Sequence, residues 1–237
     1  MENLDKLNFI YEFKFSNGEK KTITVALDRA TLNVIRDEAH KPNDWALLEN
    51  FKCPHCPLNP EENKYCPVAL NLSEVIYNFQ DEVSFEEIEV YATTPQRQVV
   101  KKTSLQAGVS SLLGILMVSS GCPIMAKLKP MLYFHLPFSN LEETQIRALS
   151  MYLLSQYVKY KKGGEPDWEM TGLIKIYEEI QILNKNVSKK IVDLEHKDAS
   201  INSLIILNNF ADYVTFTLDE KMLDEIDFFV KYFGKID

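Results

Sequence analysis

The chain lacks every short signature by which phosphate, dinucleotide, zinc-protease or serine-hydrolase chemistry is commonly recognised. No G-x-G-x-x-G, P-loop, H-E-x-x-H or G-x-S-x-G pattern occurs in its 237 residues. Basic charge is short as well. Against 34 Asp and Glu stand 26 Lys and Arg, a net charge of −8, and clustered cations of the kind that neutralise phosphates are missing, so no nucleic-acid surface is expected. The start, Met1-Glu2-Asn3-Leu4-Asp5-Lys6, has no basic stretch leading into an apolar run; a secretory signal is not expected, and a cytoplasmic location is. No internal repeat or low-complexity stretch is evident. Histidine is scarce, at His40, His55, His135 and His196.

What is present is a foldable composition. With 46% hydrophobic residues, 13 Phe and 11 Tyr, the chain can bury a sizeable core, as one continuous domain or as an α+β part over 1–103 and a helical part over 104–237. Residues 103–126 carry no charge, which by length reads as a membrane span. Seven Ser, Thr and Gln residues, three glycines and Pro123 within that run favour a buried central helix, so no membrane span is expected. Acid gathers near the end, with eight Asp and Glu against three Lys over 198–237, the pattern of a solvated helical face.

Phe9, Tyr11, Phe13 and Phe15 alternate with polar residues, and Ile23, Val25 and Leu27 do so after Ser16-Asn17-Gly18. This predicts a β-hairpin, with Asn17-Gly18 supplying positive φ angles at the turn. A second hairpin is predicted from 86–93 and 97–103. Helices are predicted near 29–39 and 68–80. From Ser139 onward the pattern is helical. Asn140 with Glu143 reads as a capping box, Ile146, Leu149, Leu153 and Tyr157 as a buried stripe, Asp167 as the next helix start, and Asp198 and Thr217 as caps of two more. The fold class expected is α+β: a small antiparallel sheet with helices, followed by a bundle-like helical half.

All four cysteines precede proline: Cys53-Pro54, Cys56-Pro57, Cys66-Pro67 and Cys122-Pro123. The first three form Cys-x2-Cys-x9-Cys, and Cys122 lies past the charge-free segment, able to return to them. Four thiolates are the usual complement for Zn²⁺ or an iron–sulfur cluster, and clustered cysteines in a reducing compartment are more often metal-binding or catalytic than disulfide-bonded. The prolines make 52–66 a turned loop poor in amide donors, which a bound metal would tie together. Ribbon-type zinc knuckles place glycine after the second cysteine, where Pro57 stands here, and require a second Cys-x2-Cys pair. Cys-Pro recurs in ferredoxin-type clusters, so the expectation is an iron–sulfur cluster on Cys53, Cys56, Cys66 and Cys122, used in electron transfer or redox sensing with a protein redox or regulatory partner.

Two alternatives stay open: a zinc-stabilised protein-interaction module, and a thiol-disulfide oxidoreductase using Cys53 and Cys56, since Cys53-Pro54-His55-Cys56 also occurs in oxidising thioredoxin-fold enzymes. His55 or His135 is an alternative fourth ligand. Whether the chain is an enzyme is left open: if Cys122 does not ligate, a three-cysteine cluster leaves one iron open to substrate. Lys127 and Lys129 could offset thiolate charge, and Gly108, Ser111 and Gly114 have the spacing of a close helix contact.

Taken together, Cys53-Pro-His-Cys-Pro-Leu, Tyr65-Cys-Pro-Val-Ala, the run from Thr103 to Gly114, Ser120-Gly-Cys-Pro-Ile and Phe134-His-Leu-Pro-Phe resemble an uncharacterised bacterial family of unknown function. The resemblance implies that the cysteine-proline units and the His135 segment belong together. It supplies no activity.

Overall fold

The structure is a computed structural model of the 237-residue chain, and it describes residues 5–36, 44–79, 81–192 and 231. Both predicted hairpins form. Strand β1 (Lys6–Lys14) pairs antiparallel with β2 (Lys20–Asp28), placing Phe9 opposite Val25, Tyr11 opposite Ile23 and Phe13 opposite Lys21. The turn carries positive φ at Gly18 alone (+88°), and Asn17 contributes its side chain instead, whose Oδ1 accepts the Glu19 N–H at 2.8 Å. Strand β3 (Glu87–Thr93) pairs with β4 (Gln98–Ser104), and β1 also pairs with β3, giving the order β2-β1-β3-β4.

Alternation along these strands buries one face. Leu7, Phe9, Tyr11, Phe13, Val90 and Ala92 are inside, as a sheet wetted on one side requires. Two helices cover that face, α2 (Pro67–Phe79) and α3 (Leu105–Val118). Phe79 of α2 meets Phe13 edge to face, with ring centroids 4.8 Å apart. On α3, a Cβ built at Gly108 would lie 2.9 Å from Val90 Cγ2 and 3.2 Å from the Phe13 ring, so glycine sets how closely helix and sheet approach. Short helices α1 (Leu48–Phe51) and α4 (Lys129–Tyr133) precede and follow this layer. Long helices α5 (Leu141–Lys161) and α6 (Thr171–Val192) complete the described helices. One hydrophobic cluster runs through sheet and helices from Leu7 to Ile191.

Helix α5 starts as predicted. Asn140 Oδ1 accepts the Glu143 N–H and the Glu143 carboxylate accepts the Asn140 N–H, both at 2.8 Å, a reciprocal capping box. Its stripe is a correction. Leu149 is buried, but Leu153 and Tyr157 are 37% and 48% exposed, and Ala148 and Gln156 face inward in their place. Asp167 acts as predicted by accepting the Thr171 and Gly172 N–H groups ahead of α6. The caps expected at Asp198 and Thr217, and the acidic stretch they begin, lie outside the described residues.

The helix expected at 29–39 does not form over its described part, 29–36. Asp28 Oδ1 accepts both the N–H and the hydroxyl of Thr31 at 2.7 Å, Leu32 takes φ +56°, and Ile35 N–H returns to Ala26 C=O at 2.8 Å. An aspartate that satisfies amides three residues on turns the chain back along β2. The charge-free run is partly strand and partly α3, and no helix among the described residues is long and apolar enough to cross a membrane.

The two glycines of α3 differ, contrary to a shared packing role. At Gly114 a Cβ meets nothing within 4 Å. Urea unfolding is expected to show Gly108→Ala destabilised by about 1–3 kcal/mol through overpacking, and Gly114→Ala stabilised by about 0.5–1 kcal/mol through helix propensity.

Candidate functional site: four thiols around one cavity

The loop that carries three of the cysteines is closed at its base by backbone pairing. Leu47 bridges Tyr65, with Leu48 N–H to Lys64 C=O at 2.9 Å and Cys66 N–H to Ala46 C=O at 2.8 Å. Inside it, Cys56 N–H donates to Cys53 C=O at 3.0 Å, and Asn63 N–H to Asn59 C=O at 2.9 Å. The loop is therefore better supplied with internal hydrogen bonds than its prolines suggest.

One of the prolines acts at a helix start. Pro67 is the first residue of α2, a position where the missing N–H is not needed. Cys66 C=O accepts the first helical bond from Leu70 N–H at 3.0 Å, while the Val68 and Ala69 amides donate to the Cys66 sulfur. Cys122 repeats the arrangement: its C=O accepts from Ala126 N–H at 2.9 Å, and the Ile124 and Met125 amides donate to its sulfur. In both, Cys-Pro opens a turn of helix whose free amides point at sulfur.

Cys53, Cys56, Cys66 and Cys122 line a single cavity of about 10 Å³, walled by apolar side chains that include Phe51, Ile124, Leu183 and Val187. Cys53, Cys66 and Cys122 are buried, Cys56 is half-buried, and all four are free thiols. Asn186 of α6 donates Nδ2–H to Cys53 Sγ at 3.5 Å. Burial pushes the Cys53 thiol up to about 12, with the neighbouring cysteines adding to it. Burial raises Cys66 to about 11 against the pull of its two amides, and raises Cys122 as well. These three are thus protonated thiols near neutral pH. Among the described residues, no three or more His, Cys, Asp or Glu side chains form a group set to hold a metal ion.

Neither alternative histidine lines this cavity. His55 Nε2 contacts Glu179 C=O at 2.9 Å, and its buried Nδ1 has no partner. His135 lies elsewhere, with Nε2 2.7 Å from the Tyr11 hydroxyl, which is 2.8 Å from Ser111 Oγ; that oxygen also accepts the Phe138 N–H at 3.1 Å. The cysteine-proline units come together, while the His135 segment joins the sheet side of α3. Lys127 pairs with Glu179, and Lys129 binds Thr31 C=O and Asn33 Oδ1, so neither stands free beside the thiols.

Sequence reasoning missed a second, larger cavity of about 300 Å³ between α3, α5 and α6, bordered by His135, Arg147 and Asn184. The open Cβ position at Gly114 was its only local signal, and that needs the fold to be seen.

A family model with the description "Domain of unknown function (DUF6901)" matches residues 9–231. No curated protein and no solved structure matches the chain.

The burial of His135 sets a pH dependence. Burial lowers the His135 pKa from 6.5 to about 3, with the Arg147 charge adding to it, so the folded state prefers the neutral ring and protonation favours unfolding. Stability from this group is complete above about pH 6.5 and is lost as pH falls toward 3. Urea unfolding at pH 7 and pH 4.5 is expected to show a loss that shrinks in His135→Phe. Tyr11→Phe, which leaves His135 and Ser111 short of a partner, is expected to cost about 1–3 kcal/mol at pH 7.

Proposed function

This chain belongs to the DUF6901 family, and we propose that Cys53, Cys56, Cys66 and Cys122 hold an iron–sulfur cluster that serves electron transfer or redox sensing. The observation that carries the reading is the meeting of four thiols, from a loop, a helix start and the turn after α3, on one apolar-walled cavity. The amides of Val68, Ala69, Ile124 and Met125 support it, because N–H donors to sulfur stabilise the thiolate form that a cluster requires and help set its potential. Bound there, a cluster would take up or release an electron. The protein's part is to supply the sulfurs, donate to two of them through backbone amides, and keep water from three. Pro54 and Pro57 are exposed beside half-buried Cys56, which gives a protein redox or regulatory partner its nearest approach.

Zinc is the second reading, favoured by the size of the cavity. About 10 Å³ is room for one water-sized sphere, enough for a single ion, whereas a cluster core requires the four thiols to rearrange from their positions here. A thiol-disulfide mechanism at Cys53 is disfavoured, since its buried thiol is pushed up to about 12, the opposite of an activated nucleophile.

Iron, zinc and acid-labile sulfide in anaerobically purified protein test the proposal. Iron with matching sulfide is expected in the wild type, and its loss in Cys66→Ala and in Cys122→Ala. Zinc without sulfide selects the second reading, and neither metal overturns both.

A further inference from the structure

We propose that the cavity of about 300 Å³ between α3, α5 and α6 is a binding site for a small amphipathic carboxylate, with its acid group on Arg147 and its chain directed along α6 toward Asn184. This site is separate from the thiols and does not depend on their cofactor. Its volume is at the lower end of the range for small-molecule pockets. Met117, Met125 and Met131 line it, and flexible, polarizable thioethers adapt to apolar guests of varied shape.

The charge of the lining is the informative part. In a chain of net charge −8, the described residues bordering this cavity include Lys101 and Arg147 but no Asp or Glu. Arg147 Nη2 donates to the Met131 and Phe134 carbonyls at 3.0 and 2.7 Å. No carboxylate among the described residues ion-pairs with it; Glu143, within electrostatic reach, is tied to the Asn140 amide. A half-buried guanidinium held by neutral carbonyls is a ready partner for an incoming carboxylate.

The far end of the site is polar as well. Asn184 is 2% exposed, borders the cavity, and its buried Oδ1 accepts no hydrogen bond from the described residues. An unpartnered buried acceptor is costly unless a donor arrives. Tyr177, which also borders the cavity, lies two helical turns before Asn184, about 10 Å along α6. An eight-carbon chain with a carboxylate at one end and a hydroxyl at the other is of about that length and is the probe chosen for the site. Gly114 then has a reason that packing does not give it, since any larger side chain there would project into the guest's space.

Calorimetric titration of the full chain with octanoate, 8-hydroxyoctanoate and 1-octanol tests this. One octanoate per chain is expected, with 1-octanol at least about tenfold weaker because it leaves the guanidinium unpaired, and 8-hydroxyoctanoate tighter than octanoate. Arg147→Gln should erase the preference for acid over alcohol, Asn184→Leu the preference for the hydroxy acid, and Gly114→Leu or Gly114→Met all binding, each in protein shown folded by circular dichroism. No binding of either acid up to about 5 mM, equal affinity for octanoate and 1-octanol, or undiminished binding to both folded Gly114 variants would overturn the proposal.

Discussion

The approach of α3 to the sheet at Gly108 is the contact on which the rest of the molecule depends. Val90 and Phe13 close over the missing side chain, and the helix is thereby fixed across the inner face of the strands. One consequence lies at its C-terminal end. Val34 N–H donates to Ser119 C=O at 2.9 Å, and Arg36 donates to Ser120 C=O at 2.7 Å and to the Asn71 side chain at 3.0 Å, so the chain leaves α3 along a set path and delivers Cys122 to the other three cysteines. A second consequence lies along its length, where Ser110, Gly114 and Met117 form a wall of the larger cavity, which Lys101 and Thr103 of β4 also border. Both candidate sites thus take their geometry from the same helix, and α6 borders each of them.

The thiol site shows how a residue pair can carry more than its two side chains. Proline after cysteine removes one amide, and at the first position of a helix that amide has no intrahelical bond to lose. The next two amides then face the cysteine sulfur. Cys66 uses this geometry at the start of α2, and at Cys122 the amides of Ile124 and Met125 face sulfur from a turn that leads into a short 3-10 helix over Met125–Leu128. Cys53 and Cys56 are placed differently, by a turn closed between Cys53 C=O and Cys56 N–H and by Asn186 reaching from α6. Burial keeps Cys53, Cys66 and Cys122 protonated, so a metal that binds them must displace protons, and its retention should weaken in acid.

Much of the architecture was legible because local patterns and tertiary burial agree. Alternation in Phe9 to Phe15 and Ile23 to Leu27 marked strands whose one face is inside, and Asn140 with Glu143 marked the start of α5. The failures have separate causes. In 29–36, side-chain capping by Asp28 outcompeted helix formation, and in α5 the apolar spacing of Leu153 and Tyr157 marked no buried face among the described residues. The meeting of the cysteines could be read because four identical residues with a repeated neighbour stand out from a single sequence. The Tyr11–His135–Ser111 network could not, since its members lie 100 and 124 residues from Tyr11. Nor could the larger cavity, whose walls come from segments that have nothing in common until folded.

X-ray absorption at the iron edge of anaerobically purified protein would test the central claim most directly. A first shell of sulfur alone with an iron–iron scatterer behind it is the predicted result, as four cysteines around one cluster require. Iron bound by nitrogen or oxygen, iron with no second iron nearby, or protein purified without iron would contradict it.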